Sequence, residues 1–194
     1  MSKLNVDAVE PSSATTLTLG ASGDTISIPS GVTVTNSGSA TGFGKVLQVV
    51  SVSYNTLETT TSATFSDTGL EASITPSATS SKVMVMINAS IGSAEYGFIN
   101  LVRDSTNIDQ GISSGSRQVC SRPLPYSSGT AGGDTVTLNF LDSPSTTSST
   151  TYKMAWANYN GAGNALAMNS GTADPDGAYA YRGSSNITLM EIAG

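Results

Sequence analysis

Apolar side chains fall on every second residue along much of this chain, and nowhere do they hold the i, i+3, i+4, i+7 spacing of an amphipathic helix. A period of two sends successive side chains to opposite faces of an extended backbone, so the pattern commits the chain to strands. The cleanest case is Thr135-Val136-Thr137-Leu138-Asn139-Phe140, with Val136, Leu138 and Phe140 on one face. In 151–159 the same rule places Tyr152, Met154 and Trp156 together. Strands are also expected over 45–54, 56–66 (Thr-rich, hence an edge), 71–74, 98–103, 117–120 and 185–192, with Asp67-Thr68-Gly69-Leu70 as a turn. The segment 81–88 is apolar on both faces, Val83, Val85 and Ile87 on one and Met84 and Met86 on the other. Such a strand is expected in the centre of a sandwich or at a subunit interface. The fold class is all-β: an antiparallel sandwich or jelly roll over 45–194, with long Ser-, Gly- and Asp-rich loops at 104–116, 121–134, 142–149 and 160–184.

Composition excludes several kinds of function. Lys and Arg number 8 against 14 Asp and Glu, for a net charge of -6. Nucleic acid is therefore not an expected partner, because its binding rests on neutralised phosphates. Histidine is absent and cysteine occurs once, which removes Ser-His-Asp and Cys-His catalysis, an intrachain disulfide and a Cys-based zinc site. Ser and Thr number 32 and 25, so hydroxyls rather than charges keep the surface wetted. No apolar run approaches the ~20 residues of a membrane span. The opening Met1-Ser2-Lys3-Leu4-Asn5-Val6-Asp7 lacks the apolar stretch of a signal peptide, the expectation being synthesis in a cytoplasm without general secretion. No cofactor, metal or enzymatic activity is expected.

Residues 1–44 differ from the rest. Thr16-Leu17-Thr18-Leu19, Thr25-Ile26-Ser27-Ile28 and Val32-Thr33-Val34-Thr35 alternate one apolar residue with one hydroxyl, separated by Gly20-Ala21-Ser22-Gly23-Asp24 and Pro29-Ser30-Gly31. Burying the six apolar side chains yields roughly 1.5–3 kcal/mol each. Ordering ~20 residues of backbone costs roughly 1–2 kcal/mol apiece. The stripe Leu17, Leu19, Ile26, Ile28, Val32 and Val34 is therefore expected to meet the same stripe on identical chains, as a fibrous, trimeric β stem, the alternative being a disordered tail.

Two sets of residues carry a family likeness. One is the opening Leu4-Asn5-Val6-Asp7-Ala8-Val9-Glu10-Pro11 with Leu17-Thr18-Leu19-Gly20-Ala21-Ser22-Gly23-Asp24 and Pro29-Ser30-Gly31-Val32. The other is Asp67-Thr68-Gly69-Leu70, Ile74-Thr75-Pro76-Ser77, Leu101-Val102-Arg103-Asp104-Ser105-Thr106 and the closing Thr188-Leu189-Met190-Glu191-Ile192-Ala193-Gly194. Together they resemble fibre-like virion structural proteins of marine tailed bacteriophages. The resemblance implies a homotrimeric fibre or spike of the virion. Its N-terminal segment (1–44) would attach to other virion proteins. Its jelly-roll head (45–194), similar to tumour-necrosis-factor-like trimers, would bind a host cell-surface glycan or protein. A capsid decoration or cementing protein and a glycan-cleaving tailspike are the alternative readings.

Candidate residues follow. Tyr126, and Tyr179, Tyr181 and Arg182, stand on Gly-rich loops, and Tyr and Arg are common anchors of binding surfaces, so they are the candidate receptor contacts, the alternative being that the rings cap the ends of the sandwich. Met84 and Met86, with strands 83–87 and 187–192, join the stem stripe as candidate trimer interface. Asp174-Pro175-Asp176-Gly177 and Asp104-Ser105-Thr106-Asn107-Ile108-Asp109 offer oxygen ligands but fit plain turns better. Cys120 is expected as a small buried hydrophobe. The glycosylation patterns Asn88-Ala89-Ser90 and Asn186-Ile187-Thr188 are discounted, having no secretion signal beside them.

Overall fold

The computed structural model describes residues 9, 15–33, 35, 46–125, 133–161 and 165–194. The chain divides into two units, Met1–Phe43 and Gly44–Gly194.

In the first unit, residues 15–33 form two turns and no paired strand. The Asp24 amide donates to Ala21 O at 3.0 Å and the Val32 amide to Pro29 O at 3.3 Å. Each turn carries glycine at its third position in the left-handed region, Gly23 at φ 94° and Gly31 at φ 86°, which a type II turn requires. The Asp24 carboxylate also accepts from the Ala21 amide at 2.7 Å. The segments expected as strands are thus linked by the expected turns, yet among the described residues they have no ladder partner. Val34 lies outside the described residues.

The second unit is all-β, with no helix among its described residues. Its strands are β1 (Val46–Tyr54), β2 (Glu58–Thr60), β3 (Ser66–Ile74), β4 (Lys82–Ser93), β5 (Gly97–Arg103), β6 (Thr106–Ile108), β7 (Arg122–Leu124), β8 (Asp134–Asp142), β9 (Thr150–Asn158), β10 (Leu166–Met168) and β11 (Ser185–Ile192). One sheet runs β1-β11-β4-β10-β2, with β8 paired to β4 as well, and the other runs β3-β9-β5-β6, with β7 also on β5. Every pairing is antiparallel.

Alternation builds the core. Val83, Val85, Ile87, Ala89 and Ile91 of β4, Val136 and Leu138 of β8, and Ile187 and Leu189 of β11 are buried in one cluster with Leu70, Ala72 and Ile74 of β3, Ile99 and Leu101 of β5, and Tyr152, Met154 and Trp156 of β9. The expected strand 117–120 does not form: its residues are outside any ladder, and their backbone closes a loop through the Gly111 amide, which donates to Cys120 O at 3.2 Å. The Thr-rich stretch 56–66 yields only β2. The expected turn at 67–70 lies inside β3, where the register against β9 shifts between Asp67 and Glu71. Gly69 allows that detour, because a Cβ there would stand 2.2 Å from the Tyr54 hydroxyl.

Two buried acids fasten the sandwich. Asp142 of β8 accepts from Arg103 Nη1 of β5 at 2.8 and 3.0 Å and from the fully buried Tyr152 hydroxyl of β9 at 2.6 Å, joining the two sheets. Burial, then the bond to Asp142, pushes the Tyr152 phenol far up. Glu191 of β11 is 1% exposed. Its Oε1 accepts from the Ser77 amide and hydroxyl, both at 2.7 Å, and its Oε2 from Gln48 Nε2 at 2.7 Å. Burial disfavours its charge, but these bonds outweigh burial and hold the carboxyl down at about 2.

Candidate functional site

The connection from β10 to β11, residues 169–184, makes a polar cleft because its base is nailed down by buried side chains. Asn169, in the left-handed region at φ 63°, donates from Nδ2 to Tyr54 O at 3.0 Å and to Thr56 O at 2.9 Å. Its Oδ1 accepts from the Ser185 hydroxyl at 2.7 Å. Its backbone amide donates to Ser90 O, and its carbonyl accepts from the Gly183 amide, both at 2.8 Å. Asn is among the few side chains that tolerate this backbone. The two ends of the loop meet in a bridge between Ser170 and Arg182.

Above that base, Asp174 and Arg182 face each other. Arg182 Nη2 donates to Asp174 Oδ2 at 2.7 Å, Nη1 bonds Oδ1, and Nη1 also donates to the buried Ser170 hydroxyl at 3.0 Å. Ser170 Oγ lies 2.9 Å from Asp174 Oδ1. The Arg182 guanidinium, and secondarily Ser170, hold the Asp174 carboxyl below the usual carboxylate range. Asp174 sits at φ 44°, a conformation uncommon for a residue with a side chain. A turn closed by the Ala180 amide on Gly177 O at 2.9 Å completes the loop. Asp174, Pro175, Asp176, Gly177, Ala180, Tyr181 and Arg182 line a cleft of about 320 Å³. Tyr179 is 74% exposed, and its ring edge lies against Gly177, where a Cβ would meet Cε1 at 2.7 Å.

Three of the four candidate receptor contacts thus share one loop, while Tyr126 lies outside the described residues. Tyr181 is half-buried and Arg182 exposed. The Tyr181 hydroxyl abuts Gly133, where a Cβ would stand 1.7 Å away. Gly133 therefore packs against the cleft residue Tyr181. Sequence patterning alone did not bring out Asp174 and Asp176 as partners of the aromatic loop. It also passed over Ile112, 96% exposed on the 109–121 loop.

The candidate interface residues are placed as follows. Met84 and Met86 are half-buried on the outer face of their sheet. Register aligns Val49, Met190, Met84 and Leu141 in one apolar row across β1, β11, β4 and β8. The next rows, Ser51-Thr188-Met86-Asn139 and Ser53-Asn186-Asn88-Thr137, are polar but for Met86. On the same strands, Ile187 and Leu189 are spent in the core. In the first unit, Leu17, Leu19, Ile26, Ile28 and Val32 are 42–62% exposed.

The remaining motifs are accounted for locally. Asp104, at φ 52°, opens the two-residue loop between β5 and β6 and accepts from the Thr151 amide at 2.9 Å. Asp109 pairs with Arg122 at 3.0 Å. Cys120 is half-buried, and burial pushes its thiol up against the opposing pull of Arg122. Among the described residues, no three His, Cys, Asp or Glu side chains gather as a metal site. No protein-family model matches the chain and no curated protein matches it, so function is argued from the cleft, the apolar row and the N-terminal stripe themselves.

Proposed function

We propose that this chain is a non-enzymatic structural protein of a phage virion, a short homotrimeric fibre or spike. Its N-terminal segment attaches to the particle, and its C-terminal jelly roll binds the host cell surface. The observation that carries the reading is the apolar alternation Leu17, Leu19, Ile26, Ile28, Val32, which stands open to solvent in a single chain. Five exposed aliphatic side chains in one short polar segment support a stripe that another surface covers. A sibling copy supplies the same stripe at no cost in sequence and closes a symmetric assembly. The strand order supports the jelly-roll form: β1-β11-β4-β8 faces β3-β9-β5, and the chain passes repeatedly between the two sheets. The row Val49, Met190, Met84, Leu141 gives the head its own surface for self-association, and the 169–184 loop supplies the recognition edge.

Limited proteolysis of the full chain tests the stem. A trimer is expected to resist cleavage between residues 15 and 35, and rapid clipping there would refute it. Adherence of the full chain to host cells separates a fibre tip, which binds them, from a capsid decoration protein, which does not.

A further inference from the structure

The cleft at 174–182 has a chemistry narrower than adhesion in general. With a volume of about 320 Å³ and seven lining residues, it sits at the low end of small-ligand pockets, roughly 300–1,000 Å³. A protein partner engages roughly 20–30 residues a side. The cleft therefore fits a small group or one short stretch of a polymer.

Its lining mixes three kinds of surface. Tyr181 supplies the aromatic of the lining, and Tyr179 stands exposed at the edge, against the lining residue Gly177. Asp176 is an exposed carboxylate, an acceptor only. Arg182 offers guanidinium N–H groups, its position fixed by the two-oxygen pairing with Asp174 and by Ser170. Neighbouring hydroxyls on a sugar ring ask for this combination: each donates to a carboxylate and accepts from an N–H, while the apolar C–H face of the ring rests on an aromatic side chain. Charge narrows the class further. Asp174 is already neutralised by Arg182, which leaves Asp176 as the surplus charge in a protein whose net charge is -6. An anionic glycan is repelled by that surplus. A cationic group meets Arg182 in the same space.

We infer that the cleft lined by Asp174, Asp176, Tyr181 and Arg182, with Tyr179 at its edge, binds a neutral saccharide, one or two rings of a longer glycan. The inference rests on the adhesion reading above and names its ligand class. The buried anchors Asn169, Ser170 and Ser185 hold the loop in place before any ligand arrives, so little ordering cost attaches to binding.

The test applies the intact chain to immobilised neutral oligosaccharides, hexose and N-acetylhexosamine polymers, alongside uronic, sulfated and phosphorylated ones, at about 0.05 and about 0.5 M salt. Retention on a neutral oligosaccharide is expected, changing less than about twofold between the two salts. Tyr179→Ala and Asp176→Asn are each expected to weaken it by about tenfold or more, with thermal melting unchanged because both side chains are exposed. No retention on any neutral glycan overturns the inference. So does retention confined to anionic glycans, or binding that collapses at the higher salt as a charged ligand's would. Adherence to cells that survives periodate oxidation of their surface glycans also overturns it, while leaving the adhesion reading intact. Neutral-glycan binding without cell adherence does the reverse.

Discussion

Glu191 anchors one end of the sandwich, and replacing it with Gln isolates its charge. In the folded chain the carboxylate is held ionised by the Ser77 amide and hydroxyl and by Gln48, itself tied to Thr75 O at 2.7 Å. Its folded value of about 2 lies below the ordinary 4.5. The unfolded chain therefore takes up the proton first as pH falls. The stabilisation is complete above about pH 5, declines as pH drops, and is gone below about pH 2. At roughly 1.4 kcal/mol for each pH unit separating the two values, it amounts to about 3 kcal/mol. Glu191→Gln keeps the shape but has one acceptor oxygen where three donors converge. Urea unfolding followed by the fluorescence of buried Trp156, at fixed protein concentration, gives the stability of each form. Glu191→Gln is expected to be about 3 kcal/mol less stable at pH 7, with the gap closing as pH falls from 5 towards 2. A gap independent of pH would refute the assignment of that stability to the ionised carboxylate.

Three other perturbations are defined by the structure. Asp142→Ala strands the buried Tyr152 hydroxyl and unpairs Arg103, which retains some access to water. A loss of roughly 3 kcal/mol is expected, read by calorimetry as a melting temperature lower by roughly 6–12 °C. Gly133→Ala drives a methyl group into the Tyr181 hydroxyl, with an expected loss of roughly 1–3 kcal/mol. In a double-mutant cycle Tyr181→Ala should remove at least about 1 kcal/mol of that loss, and simple additivity would contradict the contact. Met84→Lys combined with Leu141→Lys places two charges in the outer apolar row. Sedimentation over a dilution series should show the full chain dissociating at a higher concentration than the parent, with unchanged circular dichroism; an unchanged dissociation concentration would show that no copy covers the row.

The long strands were legible because alternation runs through much of each: β11 buries every second residue throughout, β4 from Val83 to Ile91 and β9 from Thr150 to Met154, and β8 buries Val136, Leu138 and Asp142. The three-residue strands β6, β7 and β10 were not. They lie in Ser-, Gly- and Asp-rich stretches, and their pairing is imposed by the free edges of β5 and β4 rather than by a pattern of their own. The segment 117–120 misleads for the opposite reason, having the right residues and no neighbouring edge to pair with. Gly69 reads locally as a turn, and only the distant Tyr54 explains why it sits in a strand. At the candidate site, Tyr179 and Arg182 stood out as an aromatic and an arginine on a Gly-rich loop. The pairing of Arg182 with Asp174, and the packing of Tyr181 on Gly133, depend on how the loop folds back and leave no periodic trace.

The central claim is that the thin apolar stripe at 17–34 is closed by copies of itself. The molar mass of the full chain by light scattering, at micromolar concentration, tests it most directly. A trimer of 19.7 kDa chains gives about 59 kDa, and a mass of 19.7 kDa for the folded, intact protein would contradict the account.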